Sequence, residues 1–170
     1  MTTRNAIVCA VLCLSLFCCT TTGPKRSPAT GPPHFNGAVA VWEVENMSIL
    51  GNTQMEISEF LTSRVLDAIR TEGSVVVERE KLLSVLAELS LGAGELSDPE
   101  TQLRVGRLAG AKRMVFGGYQ VMGQSMRIDL RMVEVETGRV LKASEKTVEN
   151  SDVAMWFTAA EEAAKNLVRQ

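Results

Sequence analysis

After residue 19 the 170-residue chain contains no cysteine; all four (Cys9, Cys13, Cys18, Cys19) lie at its start. A disulfide framework, a CxxC redox pair and a zinc–thiolate site are thereby excluded from everything that follows. Histidine is almost as scarce. His34 is the only one, in a Pro/Gly-rich stretch, and it reads as a solvated linker residue. An HExxH motif cannot form, and a Ser–His–Asp triad would need that linker histidine. Aromatic residues make up 5%, which argues against a stacking surface for bases or sugars. No basic block interrupts a net charge of -2, so nucleic acid is not an expected partner.

Phosphate-binding loops are missing as well. The turn after the first apolar run reads NMSILGNTQ, without the required glycine spacing. Gly117-Gly118 falls inside an expected strand, where it cannot cradle a phosphate at a helix start. Glu78, Glu80, Glu88 and Glu95 flank helices among polar neighbours and read as solvated surface rather than a two-carboxylate site. Met114, Met122, Met126 and Met132 fall on strand faces and read as core filler rather than metal ligands. The residues therefore offer no catalytic site, no metal site and no cofactor, and an enzyme is not expected.

What is present begins with a leader. Met1 to Asn5 carry one cation, Arg4, and Ala6 to Phe17 form the apolar run AIVCAVLCLSLF. The run suits a signal-peptide core and is short of the roughly 20 residues that span a bilayer. It ends in Leu16-Phe17-Cys18-Cys19-Thr20. A lipoprotein signal places Leu three positions before the acylated cysteine and a small residue just before it. Cys19 is thus the expected lipid attachment site, with Cys18 the alternative acceptor. Phe17 and Cys18 are bulkier than that signal prefers. Two or more acyl chains, palmitate among them, at about 0.8 kcal/mol per buried CH₂, hold a protein stably on a membrane.

Residues 1–19 are accordingly read as a lipoprotein signal peptide and 20–36 as a flexible Thr/Pro/Gly/Ser tether. Fully extended, the tether reaches about 55–60 Å. Residues 37–170 are read as one α/β domain. Gly37 to Glu45 (GAVAVWEVE) suits a strand covered on both faces. From Gln54 to Thr71, Ile57, Phe60, Leu61, Val65, Ala68 and Ile69 recur at helical spacing, with Ser58 and Thr62 on the wet side. Ser74 to Glu78 reads as a second strand. Glu80 to Ser90 is a helix with Leu82, Leu83, Leu86 and Leu89 inward.

After the turn LGAGELS, Asp98-Pro99-Glu100 opens another helix with an N-cap acceptor, a pre-set proline and an acid at the positive end. It stops near Ala109-Gly110. Lys112 to Val121, Met126 to Val135 and Arg139 to Glu149 form a meander. Its middle strand alternates Met126, Ile128, Leu130 and Met132 with Arg127, Asp129 and Arg131. Gly117-Gly118 predicts a bulge or a close approach of another backbone. Ser151-Asp152 caps a last helix with Val153, Trp156, Phe157, Ala160, Ala164, Leu167 and Val168 on one face. The expected fold is a single mixed sheet of about five strands, parallel in its first part and antiparallel in the meander, with helices packed on it.

Four stretches are less generic: VVERE-KLL from Val76 to Leu83, Gly106 to Ala111, Val115 to Gly118, and IDLRMVEVETGRVL from Ile128 to Leu141. In this order they resemble the curli assembly and secretion lipoprotein family, CsgG/HfaB-like. Related domains occur in the TolB amino-terminal region and in lipoprotein activators of peptidoglycan synthases. The resemblance spans about Ala38 to Asn150. It implies an outer-membrane-anchored periplasmic lipoprotein that works in assembly or secretion without catalysis, as a homo-oligomer or in an envelope complex. Activation of an envelope enzyme such as a peptidoglycan synthase is the alternative. Pore-forming members insert hairpins near Val121 to Ser125 and Val148 to Asp152, where this chain has only short connections. Neither a channel function nor constriction residues carry over.

Among the motif residues, Arg79 is expected to pair with Glu78 or Glu80, or to face a partner. Arg131 is expected to touch a cross-strand acid such as Glu145, or a neighbouring subunit. Gly138 is read as a turn residue.

Overall fold

The first apolar run folds as β1 (Val39–Val41) and β2 (Glu45–Asn46), not as one continuous strand. These belong to a computed structural model that describes residues 37–48, 57–150 and 152–169, and of Ala93 the backbone alone. The expected leader with Cys19, the tether with His34, and most of the turn after β2 lie outside those residues. Val41 pairs with Val115, but Glu45 pairs with Gly118. The early strand thus carries one residue more than its partner, the signature of a bulge. Inside it the Val44 N–H donates to the Thr62 hydroxyl at 2.9 Å.

Five strands form one mixed sheet in the order β1-β3-β4-β5, with β2 also on β3 (Arg113–Met122). Both early strands run parallel to β3. β4 (Ser125–Glu134) and β5 (Val140–Glu149) follow antiparallel. The mixed-sheet expectation holds, with one change of membership. Ser74 to Glu78 makes only a single parallel bridge, Val39 to Val76. Glu78 already stands at the N-cap of the following helix, which leaves too few residues to extend the ladder.

One face of the sheet is closed by α1 (Ser58–Thr71) and α5 (Val153–Val168). Val115, Tyr119, Met126, Ile128, Leu130 and Met132 project onto Leu61, Val65 and Ile69 of α1 and Trp156 and Leu167 of α5. Alanines 159, 160, 163 and 164 are buried and let the helices approach closely. Two expectations fail on α1. Phe60 is exposed and lies 6.2 Å from Phe157, ring centroid to centroid. Thr62 and Ser58 are buried, because the Thr62 hydroxyl donates to the Ser58 carbonyl while accepting from Val44. The two hydrogen bonds offset the cost of removing the hydroxyl from water.

The other face carries α2 (Arg79–Leu89), the short α3 (Ala93–Leu96) where a plain turn was expected, and α4 (Pro99–Leu108). Only Leu82 of α2 is fully buried, and Leu83 is exposed, contrary to its expected inward position. Helix α4 begins as its capping residues predict, with the Asp98 carboxylate accepting from the Thr101 N–H at 2.8 Å. It lies close on β3 because Gly106 has no side chain. A Cβ there would sit 2.1 Å from the Met114 Sδ. Among the described residues, no helix is long and apolar enough to cross a membrane.

Candidate functional site: a groove on the half-covered sheet face

Helices α2 and α4 cover only part of their face. Ala40, Met114, Phe116, Val133 and Val135 pack beneath them. Further along the strands, Asp129 and Arg131 of β4 and Ala143, Glu145 and Thr147 of β5 are exposed. Register places Asp129 opposite Glu145 and Arg131 opposite Ala143. A groove of about 610 Å³ runs over this region, lined by Trp42, Met47, Phe116, Gly118 and Ala143, with Glu43, Glu45, Asp129, Arg131 and Glu145 among its charged residues.

The floor is shallow because its residues are small. A Cβ on Gly118 would meet the Met47 Sδ at 2.4 Å, so the exposed Met47 lies across the glycine. Gly117 serves the opposite face, where a Cβ would meet Leu130 Cδ2 at 2.3 Å and the Asp129 carbonyl at 2.8 Å. Of the two readings of the glycine pair, close approach is the one observed. The β3–β4 register runs unbroken through it.

Along one wall the Trp42 and Phe116 rings stand 6.4 Å apart, tilted by 44°. The Arg131 guanidinium lies over Phe116 at 5.8 Å from its centroid. Arg131 therefore has an aromatic partner rather than the expected Glu145. That acid goes to Arg127, which also holds Asp129 at 2.7 Å. The hydrogen bonds that Arg127 donates to Asp129, and the negative charges of Asp129 and Glu145, raise the Arg127 pKa. Arg79 also departs from expectation: it pairs with Glu43 at 3.3 Å, while Glu78 goes to Arg70 at 2.9 Å. Helical geometry directs Arg79 back over the sheet, away from its sequence neighbours.

The remaining expected residues are placed as follows. Glu80 and Glu88 are exposed, and the Glu95 carboxylate accepts from the Gly92 N–H at 2.9 Å. Met114, Met126 and Met132 are buried, whereas Met122 is 58% exposed and is not core filler. Gly138 holds φ +66° in the β4–β5 turn, as its turn reading requires. Among the described residues, no group of three His, Cys, Asp or Glu could hold a metal ion. Trp42, Met47 and Ala143 were not expected as site residues. Their signal was faint: small residues at wet-face positions on adjacent strands, beside one of the chain's two tryptophans.

Tryptophan, methionine and arginine around a recess are the side chains enriched at protein contacts. Residues 29–125, more than half of the chain, match the profile of the curli production assembly/transport component CsgG. Among curated proteins none matches the chain by sequence. Several solved structures share the fold. The LpoB C-terminal domain from Salmonella enterica is 16% identical, with a TM-score of 0.58 over 67% of this chain and 83% of that one. Lipoprotein GNA1162 from Neisseria meningitidis is 12% identical, with a TM-score of 0.57 over 79% and 100%. A PelC dodecamer subunit from Paraburkholderia phytofirmans is 12% identical, with a TM-score of 0.51 over 78% and 88%.

Proposed function

We propose, from the premise that this chain belongs to the family of the curli production assembly/transport component CsgG, that it is a periplasm-facing lipoprotein acting by contact. Cys19 anchors it to the outer membrane, and the domain docks onto an assembly or secretion complex of the curli type, alone or as a homo-oligomer. The half-covered sheet face carries this reading. A domain that packs two helices on one face and leaves the other with an aromatic, Met-rimmed recess has a surface suited to a partner. In the recess Asp129 and Glu145 are held by Arg127 and Glu43 by Arg79, which neutralises these three carboxylates locally.

A second reading is activation of an envelope enzyme such as a peptidoglycan synthase. The connections favour a contact role over a channel in either case. β3 and β4 are joined by Gly123-Gln124 alone, and only residues 150–152 separate β5 from α5, whereas each barrel-spanning strand needs about 9–11 residues.

Two measurements test the proposal in cells. Cys19→Ala is expected to move the protein from the membrane to the soluble periplasm; retention in the membrane refutes the anchor at Cys19. A photo-crosslinking residue at Ala143 is expected to capture an envelope partner, while one at Glu88 on α2 does not. Capture of secretion components or of further copies supports the first reading, and capture of a wall synthase supports the second. Equal yields at Ala143 and Glu88 overturn the contact face.

A further inference from the structure

We infer that the groove receives a cationic partner segment with an apolar anchor: a lysine- or arginine-bearing stretch of another protein whose hydrophobic side chain lies over Gly118. This inference rests on the contact reading above and adds the chemistry of the partner. Four of the five charged side chains lining the groove are carboxylates: Glu43, Glu45, Asp129 and Glu145. The single cation, Arg131, is already engaged over the Phe116 ring. Glu45 is exposed at the end of the parallel ladder and forms no ion pair among the described residues. It is the position at which an incoming ammonium or guanidinium gains most. Arg127 already holds Asp129 and Glu145, and Arg79 holds Glu43, so an anionic segment would meet Glu45, unpaired among the described residues, first, and like charges brought together across an interface are disfavoured.

The apolar part has a place as well. Trp42, Met47 and Ala143 surround the Gly118 floor, and Met47 can shift its thioether to fit a guest. A second recess of about 450 Å³ shares Trp42, Glu43 and Glu45 and continues to Leu82, Leu83 and Leu86 on α2. An extended segment can therefore cross the Trp42 ridge, with an apolar side chain on each side and its cations over the shared acids.

The test uses the chain from Thr20 onward, an amidated peptide with phenylalanine between two lysines, and its counterpart with glutamates in place of the lysines. In ¹⁵N spectra the lysine peptide is expected to shift the Trp42 indole and Gly118 amide signals and leave the Trp156 indole, buried on the opposite face, unmoved. Glu45→Lys is expected to weaken binding at least about tenfold, and added salt to weaken it further. Glu45 has no structural partner to lose, so this variant reports charge rather than folding. Equal shifts with the glutamate peptide, or an unchanged affinity in Glu45→Lys, overturn the inference. Concentration-dependent shifts at Trp42 without peptide overturn it in favour of a second copy. Capture at Ala143 without any response to the lysine peptide removes the cationic assignment alone. Failure at Ala143 removes the reading beneath both.

Discussion

On one side of the sheet Met126 is fully buried beneath two helices; on the other, Met47 lies 58% exposed across a glycine. The same side chain thus serves as core on the closed face and as rim on the half-covered face. The difference lies in coverage: one face is packed under α1 and α5, while the other has a smaller core under α2 and α4 and leaves a recess open beside it. Truncation separates them most directly. Met126→Ala is expected to lose about 2–5 kcal/mol and Met47→Ala to stay within about 0.5 kcal/mol, both read by urea unfolding. Similar losses in the two variants would mean that Met47 is core and that the groove is not a surface.

The next contrast lies within one dipeptide. Gly117→Ala forces a methyl against the Asp129 carbonyl and Leu130, and overpacking of that kind costs about 1–3 kcal/mol. Gly118→Ala meets mainly the flexible Met47 side chain, which can move aside. It is expected to leave stability within about 0.5 kcal/mol and to fill the groove, lowering the crosslinking yield at Ala143. Thermal unfolding of both variants checks the first half, and crosslinking checks the second.

Much of the closed face could be read in advance. The alternation of Met126, Ile128, Leu130 and Met132 and the spacing of Leu61, Val65 and Ile69 follow from period alone. The errors share one cause: long-range partners that a local pattern cannot show. Thr62 looked solvated because a hydroxyl is polar, yet it satisfies Val44 where the first strand bulges. Phe60 looked inward because it is apolar, yet it stands outside beside Phe157. The groove was harder still. Its residues come from four separate strands, and Arg79 and Arg131 found partners far from the acids nearest in sequence or register.

A smaller effect tests how far α4 supports the half-covered face. Asp98 caps this helix, and hydrogen bonds from the Thr101 backbone N–H and from the Thr101 side chain lower its pKa. Asp98→Ala is expected to cost about 1 kcal/mol. In hydrogen exchange the loss should appear first in the opening turn of α4 and leave α5 protected. Uniform loss of protection would mean that the two faces unfold as one unit and that α4 has no independent stability.

Acid titration should give the smallest effect and the finest distinction between the faces. Two carboxylates secure the closed side: Glu72, held by Arg169 at 2.7 Å, and Glu162, held by Lys146 at 2.6 Å. Both have pKa values lowered below the ordinary 4.5, chiefly by those side-chain hydrogen bonds. A lowered folded pKa means that the unfolded chain binds more protons in this range, so stability rises with pH there. The contribution of these pairs is complete above about pH 4.5 and is lost as pH falls through their lowered values. Asp98 starts from an ordinary value of 3.8, so its cap on α4 should begin to weaken at a lower pH than the closed-face pairs. Asp98 and Glu162 are exposed and Glu72 is half-buried, and salt should blunt the two ion pairs more than the cap. Glu72→Gln combined with Glu162→Gln is expected to flatten the pH dependence of unfolding below about pH 4.5 and leave the step from Asp98. An unchanged slope in the double variant would show that these two pairs do not hold α1, β5 and α5 together, and that the closed face relies on burial and on the remaining Arg64–Glu161 pair.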